Sequence, residues 1–167
     1  MVKITWFDGE VPQNLETRQV YGLVFSADGR ILLKVELKKG KKVFSFGGGT
    51  PETFDADRVA TLRREMVEEL NTTLQEEVVM VGYQEIDGDG DRPTYAQVRM
   101  TALIDEIGPV QPDPDNGETY ERMLTTPERA KVLLGWGEVA DKQIDAAFKL
   151  AKKHFGFETI SSVEEYV

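Results

Sequence analysis

GGGTPETFDADRVATLRREMVEELN, residues 47–71, joins a glycine triplet to the clearest helix of the chain. Asp55 or Asp57 can cap that helix, because a short acidic side chain accepts from the free N–H groups of a first turn. The helix then runs to about Leu70. Val59, Leu62, Met66 and Leu70 fall at i, i+3, i+7 and i+11 and form one apolar stripe. At 3.6 residues per turn, Glu65, Glu68 and Glu69 spread over an arc of roughly 100°, centred about 110° from the stripe. Three carboxylates therefore crowd the margin of the buried face, where like charges repel by roughly 0.2–0.5 kcal/mol per pair. Open water offsets such repulsion, and so does a divalent cation. Mg²⁺ is a hard ion that takes oxygen ligands and commonly combines a few carboxylates with substrate phosphate.

The glycines sit immediately upstream. A chain without Cβ atoms lets backbone approach a ligand closely, and a loop leading into a helix N-terminus can present N–H groups or a carbonyl to a phosphate–metal cluster. Loop and acids in one continuous unit suit metal-assisted attack of water on phosphorus. The metal would polarise phosphoryl oxygens and lower the pKa of bound water, and one carboxylate would take the proton. Two plainer readings stand beside this one: a solvated acidic helix face with Arg64 paired to Glu68 at i+4, and a glycine bulge or tight turn.

Outward from this unit, Val43–Phe46 reads as a short strand. Residues 19–26 (QVYGLVFS) and 31–37 (ILLKVEL) read as strands joined by the turn Ala27-Asp28-Gly29-Arg30, together a hairpin. Residues 1–17 read as an arm with a short strand around 4–7. Downstream come a strand over 77–84, a turn at 87–91 and one long strand or two over 94–107. A proline-containing loop spans 108–117, and a last strand spans 120–124. DGDGD at 87–91 lacks the glycine and glutamate that a calcium loop needs at Arg92 and Val98, so a hairpin turn is the better reading. Thr126 caps a short helix with Pro127 in its first position, ending near Gly135. A final helix covers about 138–154, with Ile144, Phe148, Ala151 and Phe155 on one face. Strands, helix, strands, helices in that order predict an α/β class with helices on the faces of a mixed sheet.

The chain has 167 residues, 40% hydrophobic and 30% charged, which suits one domain with an ordinary core. The formal net charge of −10 disfavours binding to a nucleic-acid backbone. No stretch approaches the roughly 20 apolar residues of a membrane helix. No secretory signal is visible at the N-terminus and cysteine is absent, which together favour the cytoplasm. A single histidine, His154, stands in a basic helical stretch, so a His-based zinc site or Ser-His-Asp triad is disfavoured and a catalytic base would be a carboxylate. Trp6, Phe7, Tyr21 and Tyr95 could stack on a base, although packing is the simpler role for each. Trp136 reads as a packing residue at a helix junction.

Arg64-Glu65-Met66-Val67-Glu68-Glu69, preceded by a strand, Gly-Gly-Gly and Pro-Glu, resembles the box of the Nudix (MutT-like) hydrolases, which cleave nucleoside diphosphates linked to another group. That box reads G-x5-E-x7-R-E-U-x-E-E-x-G-U, with U a bulky aliphatic residue, and the resemblance extends over about residues 18–150. It implies a Nudix-type α/β/α sandwich with a mixed β-sheet, divided as an arm (1–17), a hydrolase domain (18–156) and a tail (157–167). It also implies Mg²⁺, with Mn²⁺ as a substitute, and a small diphosphate or nucleotide substrate. Glu68 and Glu69 would be the principal metal ligands, Glu65 a further ligand or base, and Arg64 the residue orienting a glutamate. The carbonyl of Gly48 or Gly47 would be a backbone ligand, with Gly47, Gly48 and Gly49 against the substrate. Glu118, and after it Glu121, would supply an acid from the loop before the last strand.

The chain departs from the box in four places. Gly49 to Arg64 spans 15 positions where the box has 14, Asp55 is the nearest substitute for the missing loop glutamate, Asn71 replaces glycine and Thr72 replaces the aliphatic residue. Asn71 tolerates the left-handed conformation and can end the helix as glycine would. The altered loop motivates a rival reading, a catalytically impaired nucleotide- or partner-binding protein on the same fold. A homodimer is compatible with the sequence.

Overall fold

The computed structural model describes residues 1–167. Its strands are β1 (Lys3–Asp8), β2 (Glu16–Gly22), β3 (Ile31–Lys38), β4 (Lys41–Ser45), β5 (Gly47–Gly49), β6 (Thr72–Asp87), β7 (Tyr95–Ile107), β8 (Glu121–Thr125) and β9 (Glu165–Tyr166). Its helices are α1 (Arg58–Leu70), α2 (Pro127–Leu134) and α3 (Glu138–Phe155). No helix is long and apolar enough to cross a membrane. The fold is α/β with a mixed sheet, as expected. That sheet has five strands in the order β1-β6-β7-β2-β5, with β2 parallel to β7 and the other pairs antiparallel. A second, antiparallel sheet runs β4-β3-β8-β9.

The expected hairpin of residues 19–26 with 31–37 does not form as one ladder. Its turn is there: Ser26 N–H donates to the Arg30 carbonyl and Leu32 N–H to that of Val24. Beyond the turn the two strands part, β2 joining β7 and β5 while β3 joins β4 and β8. Alternation along each strand explains the split, since neighbouring residues must serve two opposite cores.

One core holds Val20, Val98, Met100 and Ala102 against Leu62, Met66 and Leu70 of α1. The other holds Leu23, Phe25, Leu33 and Phe46 against Ala130 and Leu134 of α2 and Ile144, Ala147 and Ala151 of α3. The five-stranded sheet is thus covered by α1 on one face and by α3 on the other, while α2 packs against β3, β4 and α3. Burying each α1 anchor contributes roughly 1.5–3 kcal/mol.

The short strand expected around residues 4–7 is present as β1, and both ends of the chain join the sheets. Residues 3–8 pair in unbroken register with β6, from Lys3 opposite Asp87 to Asp8 opposite Gly82. At the other end Phe157 packs on Phe25 and Phe148, and β9 adds to β8. The buried Arg122 fastens that end. Its Nη1 donates to the Leu70 carbonyl at 2.6 Å, while Nε and Nη2 donate to the Val167 oxygen at 3.1 and 2.9 Å.

Candidate functional site

Asp57 is the cap of α1, its Oδ1 accepting from Ala60 N–H at 2.8 Å. Asn71 ends the helix in the left-handed conformation at φ 46° and ψ 44°, as the substitution for glycine predicted. Between these stops the helix lies against an all-glycine strand. β5 pairs antiparallel with β2, Tyr21 opposite Gly48. Gly48 has φ 151°, and a Cβ there would strike the β2 backbone at Tyr21 Cα. A Cβ on Gly49 would collide with the Glu65 carboxylate. The triplet therefore makes room for the acids of α1 to touch strand backbone.

Glu65 and Glu69 are buried and Glu68 is partly buried. Glu69 Oε1 accepts from Gly48 N–H at 2.8 Å, and Oε2 accepts from Lys34 Nζ at 2.5 Å. Arg64 is the hub of the remaining acids. Its Nη1 donates to Glu65 and to Glu68, both at 3.0 Å. Its Nε and Nη2 grip the two oxygens of Asp55 at 3.0 and 2.9 Å, and Nη2 also reaches the Thr50 carbonyl. A fork of this kind holds both partners in one orientation. Hydrogen bonding from Arg64 keeps the Asp55 carboxyl well below its usual range, and the same bond raises the Arg64 guanidinium. Asp55, the nearest substitute for the missing loop glutamate, thus orients the arginine of the box.

Burial pushes the Glu65 carboxyl up to about 7, against the pull of Arg64 and with the charges of Glu69 and Glu68 adding to the rise. Burial also raises Glu69, opposed by Lys34 and by the Gly48 N–H. Two groups of ion pairs result: Arg64 with Asp55, Glu65 and Glu68, and Lys34 with Glu69 and, at 4.0 Å, Glu36. As they stand, no three acids are gathered closely enough to hold a metal ion. The donor chemistry nevertheless fits a hard divalent cation: oxygen atoms only, in a crowded acidic cluster, with exchangeable ion-pair partners in place of a cation.

Gly48 meets Glu69 through its N–H, while the group expected from the resemblance to face a metal is the carbonyl of Gly48 or Gly47. Glu118 is exposed, with one carboxylate oxygen accepting from Tyr120 Oη at 3.0 Å. The acid of this loop whose charge reaches Glu69 is the buried Asp113, which lay unremarked in the proline loop. Glu121 is exposed on β8 and its charge is felt at Lys42, away from α1.

Lys34 connects the acids to a cavity of about 490 Å³ on the other face of the sheet. Tyr21, Phe46 and Trp136 form its flat walls, and Arg99 and Gln143 line its floor. Trp136, expected to pack only at a helix junction, meets Phe46 edge-on at 5.6 Å and faces this space.

Solved structures resemble this architecture over nearly the whole chain. The Bacillus subtilis pyrophosphohydrolase BsRppH superposes with a TM-score of 0.67 at 15% identity, covering 91% of this chain and 92% of its own. The fold is that of the Nudix hydrolases. A NUDIX hydrolase of Listeria monocytogenes gives a TM-score of 0.59 at 15% identity, with 87% of this chain and all of its own covered. MutT of Bacillus halodurans gives 0.53 at 17%, with 79% of each chain covered. No family model and no curated protein matches the sequence. On the Nudix fold the R-E-U-x-E-E run of this chain occupies α1, against the glycine strand.

Proposed function

We propose that this protein is a Mg²⁺-dependent pyrophosphohydrolase of the Nudix type, acting on a diphosphate linkage in a nucleotide or related small molecule. The reading is carried by one observation: Glu65, Glu68 and Glu69 stand together on α1, two of them buried against Gly48 and Gly49 and all three held by Arg64 or Lys34. Glu68 and Glu69 would hold the ion, leaving Glu65 as the base, and Mn²⁺ would serve in place of Mg²⁺. The bound cation supplies charge neutralisation at the phosphoryl oxygens and a lowered pKa for water.

The remaining steps belong to the chain. Arg64, fixed by Asp55, orients Glu65 and Glu68. Glu65, with a carboxyl poised near neutrality, accepts the proton of the attacking water as that water's oxygen bonds to phosphorus. The bridging oxygen leaves with the departing phosphate. Lys34, which pairs with Glu69 and lines the cavity, would meet phosphate oxygens there.

The test is a panel of diphosphate compounds incubated with the protein and Mg²⁺, with Glu69→Gln alongside. Appearance of a phosphomonoester or pyrophosphate product with the wild type and its loss in the variant are expected. Should the wild type hydrolyse nothing while a nucleotide still raises its melting temperature, the protein is a binding module and the hydrolytic reading fails.

A further inference from the structure

Among the buried charges of this protein, Arg99 lacks a carboxylate partner. It is 4% exposed, on β7, pointing to the α3 side between Val98 and Met100, which point to α1. Its Nε donates to Gln143 Oε1 at 3.0 Å and its guanidinium lies 4.9 Å from the centre of the Tyr21 ring. Nη1 is buried and has no hydrogen-bond acceptor. A guanidinium left this way costs stability unless something else supplies acceptors. Burial lowers its pKa only to about 10, so the charge persists at neutral pH.

The surroundings are equally one-sided. Gln143 donates to Gln84 at 2.9 Å, Gln84 to Gln97 at 2.6 Å, and Gln97 to Gln19. Gln143, Gln84 and Gln97 have each spent one N–H and retain another. No acidic residue lines the cavity, although the whole chain carries 30. The space is therefore rich in donors and positive charge, walled by aromatic rings, and at about 490 Å³ within the range of small-ligand sites.

We propose that Arg99 selects the base of the substrate: the cavity takes a 6-oxopurine in preference to a 6-aminopurine, with Arg99 donating to O6 and N7. This rests on the hydrolase reading, which puts the diphosphate at Lys34 and Glu69, where the cavity opens. A guanidinium offers donors only. The corresponding edge of guanine or hypoxanthine offers two acceptors, whereas adenine presents an amino donor in place of the oxo group and leaves Arg99 facing another donor. Tyr21, Phe46 and Trp136 suit a planar ring. The expected preference is roughly 10- to 100-fold.

Binding of the uncleavable α,β-methylene analogues of GDP and ADP, in Mg²⁺, tests the proposal by calorimetry and thermal shift, with methylenediphosphonate as a probe of the acidic end alone. The GDP analogue should bind at least 10-fold more tightly than the ADP analogue. In Arg99→Met the two should bind alike, and the ligand-free variant should melt higher than the wild type because an uncompensated charge has gone. Equal binding of both analogues by the wild type, with methylenediphosphonate still bound, overturns base selection and leaves the diphosphate site standing. No response to any of the three overturns both. The wild-type comparison decides the matter even if the variant fails to fold.

Discussion

The two faces of the five-stranded sheet treat buried charge in opposite ways. On the α1 face, Glu65 and Glu69 each meet a cation, and Arg64 alone binds three carboxylates. On the α3 face, Arg99 meets one amide oxygen and an aromatic ring, and one of its nitrogens meets nothing. The first arrangement is closed, each of its carboxylates paired with a cation of the chain. The second is open, its deficit on a residue that lines a cavity. Charge networks of the first kind hold a site in readiness, while the second kind gives a ligand something to satisfy.

The contrast can be broken most forcefully at Glu65. Glu65→Gln keeps the shape of the side chain and removes the proton acceptor, so hydrolysis measured with excess Mg²⁺ should fall roughly 10²- to 10⁴-fold while the melting temperature holds or rises. A fully active variant would remove Glu65 from the chemistry. The two arginines offer the sharpest paired test. Arg64→Met leaves Asp55, Glu65 and Glu68 facing one another and should lower unfolding stability in urea by roughly 2–4 kcal/mol. Arg99→Met should raise it, by roughly 1–2 kcal/mol. Losses of similar size from both would erase the distinction.

A smaller effect lies in pH. The folded Glu65 carboxyl sits at about 7, above its ordinary value of 4.5, so its protonated form is favoured by folding. That contribution is complete below about 4.5 and is lost as pH rises through about 7. Thermal melts of the ligand-free protein should decline across this window, and saturating Mg²⁺ should flatten the slope. The smallest effect is Asp57→Ala, which removes the helix cap at a cost of about 1 kcal/mol and should leave hydrolysis per folded molecule unchanged.

These differences track what was legible in the sequence. Local features were readable: the apolar stripe of α1, Asn71 as a left-handed stop, and Thr126 with Pro127 at the start of α2 are all decided within a turn or two of chain. Glu65, Glu68 and Glu69 belonged to that local group. Asp55 was readable only as a stand-in for a missing glutamate, because its grip on Arg64 depends on how the loop of residues 50–57 folds back over α1. Arg99 was opaque. In YAQVRM it occupies the position of an ordinary outward polar residue, and only the packing of α3 over β7 buries it. The hairpin expectation failed for the same reason: β2 takes its partners from β5 and β7, and from β7 across more than seventy residues.

Arg122 makes one fastening out of two distant parts of the chain. One guanidinium ties the main-chain oxygen of Val167 to the last carbonyl of α1, the helix bearing the acids. A pull on the Val167 segment would therefore be felt at that helix, and displacing Val167 would leave two of the guanidinium's donors idle.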